Sequence, residues 1–599
     1  VYDGDCAICR YWVAYWRELT HERVDYRPFQ EAAKDFPEIP LKDFQRAIQL
    51  IDAGRVYSGA AATFRVLRHS QGRAAWWWCY SRVPGFAAMS EWAYAFLARR
   101  RDLLSRISMF LWGPALHAER YALVSWIFLR LFGAIYVSAF ASLGVQILGL
   151  VGHDGILPVA DYFAAAHRAY GDSAYWKLPS LFWLNASDFA LLAGTVVGAL
   201  LGLLVVADKW TRPALIALFA LYLSYVCAGQ EFMSFQWDSL LIETGFLAIF
   251  LTGGSKIVVW LFRWLLLRYL FLAGIVKLLS GDPTWRDLTA LDYHFWTQPL
   301  PTPLARYAAQ LPHWLLMGGT AATLIIELGS VFLIVMPRRI RAAAAFCILA
   351  LQTLIVLTGN YNFFNLLTIL LCVFLFDDAA LRRLVPARLE SRAPSVAPLT
   401  SRTATVIAAA LAVIVVPMGV DRVWQTFTHE DLPVLGVLTR ALAPFSIVNP
   451  YGLFAVMTTS RPEIIVEGST DGQVWREYVF RYKPGPLDKA AKWNIPHQPR
   501  LDWEMWFAAL GSVRDSPWII SLMERLLEGS PPVLGLLEAN PFPGGSPKFV
   551  RAWAYDYRFA DPRTHALTGQ WWIRGDDRLY FPQVSLADFE LRTDRDRTH

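Results

Sequence analysis

Two cysteines at the spacing Cys6-Ala7-Ile8-Cys9 offer the first chemistry in this sequence. They follow a short apolar strand end, Val1-Tyr2, and open a helix, where free backbone N–H groups and the helix dipole favour a thiolate. Cys6, nearer the helix end, is expected to attack, and Cys9 to resolve the mixed disulfide. Half of a zinc site is the competing use of such a pair, but no second CxxC or Cys/His pair stands nearby. The next candidates are ionisable residues inside apolar runs: Glu243, Arg268, Lys277 and Glu327. Each costs about 2.5–3.5 kcal/mol at the bilayer centre, so each needs a partner or a watery cavity. Their depths suggest the pairs Glu243–Lys277 and Arg268–Glu327. Lys277 becomes a base only where desolvation or nearby cations bring its pKa toward neutrality, and a Glu243 partner opposes that. The histidines show no HxxxH or HxH spacing, so no metal site is expected. Neither a Gly-rich phosphate loop nor a nucleophile elbow is present in the sequence.

The elements that must position these residues are mostly membrane helices. Of 599 residues, 55% are hydrophobic and 18% charged, and the mean hydropathy is +0.32. Soluble domains carry nearer a quarter charged residues, so much of this chain is expected to face membrane lipids. Apolar runs at 122–149, 187–207, 213–228, 238–252, 256–279, 314–336, 341–358, 361–376 and 402–419 are candidate helices, about 8–9 in number. The third, fourth and eighth are short. One set of intervening loops carries sixteen Arg and Lys and the alternate set four, namely Arg168, Lys177, Arg286 and Arg306. The positive-inside bias therefore puts the CxxC domain in the cytosol and the chain beyond residue 420 outside. Basic residues follow membrane loops rather than an aromatic platform, which argues against nucleic acid as a partner.

The fold class expected is multi-domain. Residues 1–98 read as a thioredoxin-like α/β domain, with a helix from about Cys9 to Leu19, a strand over Val24–Phe29 and a hairpin around Ala53-Gly54. Residues 99–120 form a basic amphipathic linker, and 121–419 an α-helical polytopic domain. Residues 420–590 form an extracytoplasmic β-rich domain, read as a β-sandwich with a helical insertion, and 591–599 a disordered tail. Its strands are placed at Glu463–Glu467, Val474–Tyr482, Phe549–Phe559 and Gly569–Ile573. Six cysteines are too few for a disulfide scaffold; Cys79, Cys227, Cys347 and Cys372 stand alone, the last three read as packing residues of predicted membrane helices.

The run Tyr2-Asp3-Gly4-Asp5-Cys6-x-x-Cys9 resembles the DCC family of thiol-disulfide oxidoreductases. That resemblance implies redox-active thiols at Cys6 and Cys9, served by a cytoplasmic thiol reductant or thioredoxin-like partner. Further on, a set of collinear motifs stands out. Gln230, Gln236, Trp237 and Asp238 lie in Gly229–Asp238, which leads to Glu243. Asp282, Trp285, Tyr293 and His294 follow the fifth apolar run. Asn360, Asn362 and Asn365 join the seventh and eighth, and Arg500, Asp502 and Trp503 follow Pro496-His497-Gln498-Pro499. Together these look like the lipase maturation factor family, from roughly Arg120 to Ile573. The resemblance implies a multi-pass protein of the secretory pathway that helps exported lipases reach their active fold, with its large conserved part outside the cytosol. The fused redox domain and the absence of a leader lean toward a bacterial inner membrane with a periplasmic C-domain, or the ER membrane if the source is eukaryotic. Trp475, Trp493, Trp503, Trp506, Trp571 and Trp572 are candidates for holding a client. Finally, Ala273-Gly274-Ile275-Val276-Lys277 resembles a segment of the vitamin K-dependent γ-carboxylase, which implies Lys277 as a base on a reduced quinone. The cofactor this resemblance implies is a membrane quinone.

Overall fold

The structure, a computed structural model, describes residues 1–70, 74–113, 119–251, 254–386 and 401–589; the expected tail at 591–599 lies outside them. It divides into two units: Val1–Arg120 with Val335–Ala343 and Leu375–Arg383, and the remainder.

In the first unit the opening residues form the middle of a small sheet. Tyr2 bridges Pro28 in parallel, and Gln49 N donates to Val1 O at 3.0 Å. Helix α1 (Ala7–Thr20) turns Val13 inward onto Tyr26 and Val66. The expected hairpin is β1 (Gln49–Asp52) and β2 (Arg55–Ser58), antiparallel, with Ala53 and Gly54 both at positive φ as a tight hairpin turn requires. Helix α2 (Gly59–Leu67) follows, then α3 (Phe86–Ala98) and α4 (Arg101–Trp112). The basic segment expected as a linker is therefore largely helical. It packs on α1 with Trp12 and Trp112 rings 6.3 Å apart, and Tyr11 Oη donates to Gly113 O at 2.9 Å. Arginines read as topology signals are also structural here. Arg341 meets Glu119 and Arg338 meets Asp377, each at 2.9 Å.

Among the described residues nine apolar helices lie at the places the sequence marks, all in the second unit except the first turns of α11: α5 (Ala122–Gly144), α6 (Asp188–Val206), α7 (Thr211–Ala228), α8 (Gln236–Ile249), α9 (Lys256–Leu279), α10 (His313–Ile325), α11 (Arg338–Thr358), α12 (Phe363–Leu371) and α13 (Arg402–Thr428). Seven are long and apolar enough to cross a membrane, counting α10 with its continuation to Leu333; α8 and α12 are not. At about 1.5 Å per residue the fourteen residues of α8 span only about 21 Å. Its start nevertheless accepts Gly452 N through Gln236, and Gly254 beyond its end abuts the Tyr121 backbone at the start of α5. Helix α12 likewise begins at Asn362, bonded to Gln498, while Phe374 O beyond its end accepts Arg263 Nε at 2.9 Å. Both short helices thus run between the same two ends of the bundle. They are buried among longer helices, which removes the need to match the lipid's thickness.

Helix α5 stops at Gly144 rather than reaching residue 149. The chain then turns into Ile147–Val151, where Gly149 lies so close to Pro532 O that a Cβ would sit 2.4 Å away. Helix α13 extends past residue 419 to Thr428, where Asp421 accepts Leu432 N at 2.8 Å.

The C-terminal region is strand-rich but not a sandwich. Strands β3 (Pro462–Ser469), β4 (Arg476–Glu477), β7 (Phe549–Phe559) and β8 (Trp572–Val584) form one antiparallel sheet in the order β4-β3-β7-β8, and β5 (Val479–Phe480) pairs with β6 (Leu537–Ala539) separately. Helix α14 (Arg500–Ala509) packs on β3 and α15 (Trp518–Glu528) on β7, so helices cover surface that a second sheet would take in a sandwich. Sequence alternation marks only the start of β8. It is an edge strand, exposed along most of its length, and tolerates Pro582 for that reason.

Candidate functional site

The thiol pair sits where its spacing demands. Cys6 is the N-cap of α1, and its Sγ accepts the Cys9 backbone N–H at 3.3 Å. Gly4 is needed before it, because a Cβ there would lie 2.8 Å from Pro28 Cβ. Gln30 holds the loop by donating to Asp3 and Asp5 at 3.0 and 3.1 Å. A hydrogen bond from the Cys9 side chain brings the Cys6 pKa down to about 6 against the opposing effect of burial, with the Cys9 N–H and Arg101 contributing. Cys9 is pushed the other way by the same bond and by burial. One thiolate beside one thiol is the arrangement that disulfide exchange requires.

In the second unit the collinear motif residues converge on a joint between the bundle and the C-terminal region. Arg500 grips Asp238 with both Nη atoms, at 2.9 and 2.8 Å, and the two side chains are 2% and 0% exposed. Tyr222 Oη donates to the same carboxylate at 2.5 Å, and Arg500 reaches Phe232 O at 2.6 Å. Arg500 N donates to Gln146 Oε1 at 3.0 Å, and Gln146 Nε2 donates to Gln498 O at 2.6 Å. His497 Nδ1 lies 2.9 Å from Ser142 Oγ, and burial pushes its pKa down to about 4.

Neighbouring residues repeat the pattern. Asn362 bonds Gln498 and caps α12 by accepting Phe364 N at 3.0 Å. Asn360 donates to Lys492 O at 2.7 Å and accepts Asn494 N at 3.1 Å. Asp282 caps its own short helix and accepts Met457 N at 2.5 Å, while Trp285 Nε1 donates to Phe454 O at 3.0 Å. Trp237 meets Trp503 edge-on at 4.7 Å. Tyr293 packs beside Trp285 and Met457. Half-buried His294 packs edge-on against Phe454, with its pKa pushed down to about 4 by desolvation and by Lys277. Three predicted residues act elsewhere. Gln230 donates to Leu157 O at 3.1 Å, Asn365 to Gln352 at 2.6 Å within the bundle, and Asp502 accepts the Tyr482 and Lys483 N–H groups at 2.8 Å.

The expected ion pairs are exchanged. Glu243 bonds Arg268, not Lys277, and also accepts Asn449 N and Tyr451 Oη at 3.0 Å. Lys277 donates to Glu327 at 2.7 Å and to Ala273 O at 2.8 Å, with its Nζ 5.2 Å from the centre of the Trp285 ring. Glu327 reaches it from a π-helical turn, Ile326–Ser330, that interrupts α10. Lys277 thus has a carboxylate partner, though not the one the depths suggested. Four of the six tryptophans named for client contact also change role. Trp503, Trp506 and Trp572 are core, and half-buried Trp571 packs beside Trp572, whereas Trp493 is 47% exposed.

Several joint residues escape the sequence reading. Arg461 is fully buried and donates to the Trp296 and Pro299 carbonyls at 2.9 and 2.8 Å as well as to Gln298 O and Glu463. Its signal was an Arg and a Glu two apart beside an apolar strand. Gln146, Ser142 and Tyr222 were visible as polar groups in or beside apolar runs. Among the described residues no cluster of His, Cys, Asp and Glu is placed to hold a metal ion.

These features define a class: a multi-pass membrane protein with a β-rich domain joined to one end of its bundle by buried polar contacts, and a separate CxxC module. The chain belongs to the lipase maturation factor family. The family's transmembrane domain matches residues 123–383 and its C-terminal domain residues 447–582, while a DCC1-like thiol-disulfide oxidoreductase domain matches residues 1–107. Mouse lipase maturation factor 2 is 36% identical, covering 78% of this chain and 84% of its own. Human lipase maturation factor 2 is 35% identical over 78% and 83%. Mouse lipase maturation factor 1 is 33% identical over 79% and 89%. No solved structure matches.

Proposed function

We propose that this chain assists the folding or assembly of exported lipases, working through the C-terminal domain and the bundle end joined to it. The observation that carries this reading is the joint itself. The collinear motif residues lock the domain to the membrane helices, so a client met by one is met by a rigid body. Client contact then falls to exposed apolar side chains such as Trp493, Val456 and Leu567 rather than to the buried tryptophans. The N-terminal domain lies in the cytosol and the C-terminal domain outside, in a bacterial inner membrane. Co-expression with an exported lipase tests the proposal. Removing residues 420–599 abolishes active secreted lipase while the bundle still inserts, and Trp493→Ala lowers it without changing the amount of protein. Unchanged lipase activity on the deletion removes the proposal.

A second activity is favoured by the Cys6 geometry: thiol-disulfide exchange with a cytosolic partner. Cys9→Ser leaves the attacking thiolate without its resolving partner and traps mixed disulfides, and Cys6→Ser traps none. Equal trapping by both variants excludes it.

A further inference from the structure

Within the N-terminal unit a cleft of about 450 Å³ opens between α1, α3 and α4. Protein interiors are close-packed, and spaces of roughly 300–1,000 Å³ are the size of ligand pockets. Cys9 stands in the wall, with Trp12 and Trp16 beyond it on α1, and Leu104, Leu111 and Trp112 face them from α4. Beside the hydroxyls of Thr63 and Ser108, the polar groups are Asp3, Tyr94 and Arg101, and these three lie near the thiols: Arg101 and Asp3 act electrostatically on both cysteines, and Tyr94 feels Cys9 and Arg101. The occupant therefore has a compact polar head toward Cys9 and a hydrocarbon body. An extended peptide needs main-chain pairing that these walls of aromatic and aliphatic side chains do not offer.

The same unit contains the first turns of α11, and Gly113, which ends α4, lies against Arg339 there. The cleft wall runs along α4 to Trp112, the residue before Gly113, and so reaches the first turn of α11 within this unit. Leu103, Ile107 and Phe110 continue the apolar surface along the exposed side of α4.

We propose that this cleft binds a membrane quinone, ring toward Cys9, as the electron acceptor of the thiol pair. The proposal rests on the thiol-exchange reading above. The Cys6 thiolate and the Cys9 thiol together give up two electrons and the Cys9 proton and form an S–S bond. The two quinone carbonyl oxygens take up those electrons, that proton and a second proton from solvent, and leave as quinol hydroxyls. A dithiol partner then reduces the disulfide through Cys6, its own two thiols becoming a disulfide.

The test uses the reduced full-length protein in lipid nanodiscs, with a decyl-substituted benzoquinone as probe. Wild type converts one quinone to quinol per Cys6–Cys9 pair lost to alkylation. Ala98→Trp, which fills the cleft, slows this about tenfold, or ~1.4 kcal/mol in the barrier, while exchange with a small-molecule disulfide stays unchanged. Equal quinone rates in both proteins overturn the proposal. A photoreactive quinone on the wild-type protein supplies a readout independent of that variant's folding: labels on α1 or α4 support the site, and labels only elsewhere overturn it. Inert thiols with a labelled cleft refute the electron transfer and the exchange reading but not the binding.

Discussion

At the scale of residues, the thiol pair was legible because three-residue spacing at a strand-to-helix junction leaves both sulfurs in the first turn. Its asymmetry yields a prediction. With a pKa of about 6, Cys6 alkylates half-maximally near that pH, and Cys9 shows no rise across the same range. Mass spectrometry of peptides after a pH series of brief alkylation reads both; parallel titration of the two thiols contradicts the assignment. Glu504 on α14 offers a second test. Burial, with Glu231 adding, raises its pKa from 4.5 to about 8. The folded state therefore holds a proton that the unfolded chain has lost between those values, and stability falls as pH rises through the window. Glu504→Gln should melt higher than wild type at about pH 8, with the gain vanishing toward pH 4.5. A pH-independent difference in the melting curves rules this out. The joint itself is sharper still: Asp238→Asn leaves Arg500 buried without its charge partner, a loss of about 3–5 kcal/mol. Limited proteolysis should then cut the C-terminal region that wild type protects; an unchanged digestion pattern contradicts the role given to this pair.

At the scale of elements, helix positions followed from apolar runs, but the ion pairs did not follow from residue counts. Counting residues measures depth only for upright helices that begin at one level, and here the Asn449–Tyr451 segment enters to meet Glu243. A signal that went unread is the stripe Gly194, Gly198 and Gly202 on α6. Small residues four apart let helix backbones approach closely. A Cβ at Gly198 would lie 2.5 Å from the Phe140 ring of α5, and one at Gly202 would lie 3.0 Å from Gly133 O. Gly198→Leu should therefore lower the yield of monodisperse protein on size-exclusion chromatography. Gly318→Leu, where no atom lies within 4 Å, should not. Equal yields from the two would show that the α5–α6 contact is not required.

At the scale of the whole molecule, the orientation rests on arginine and lysine counts. Two reporters check it. Alkaline phosphatase fused after His599 should be active, and green fluorescent protein fused before Val1 should fluoresce. A silent phosphatase would place the C-terminal domain on the cytosolic side, away from any exported client, and would end the lipase proposal.

What the sequence determined by itself is what depends on local pattern. Hydrophobic period and run length set the helices, charge bias set their expected direction, and short motifs marked the thiol pair and the residues that matter in the joint. What only the tertiary structure decided is who meets whom. Asp238 and Arg500 stand hundreds of residues apart, Lys277 meets Glu327 on a π-turn that follows α10, and the sheet is backed by helices rather than by a second sheet. Such choices are made by packing, which compares whole surfaces at once, and no window along the chain contains that comparison.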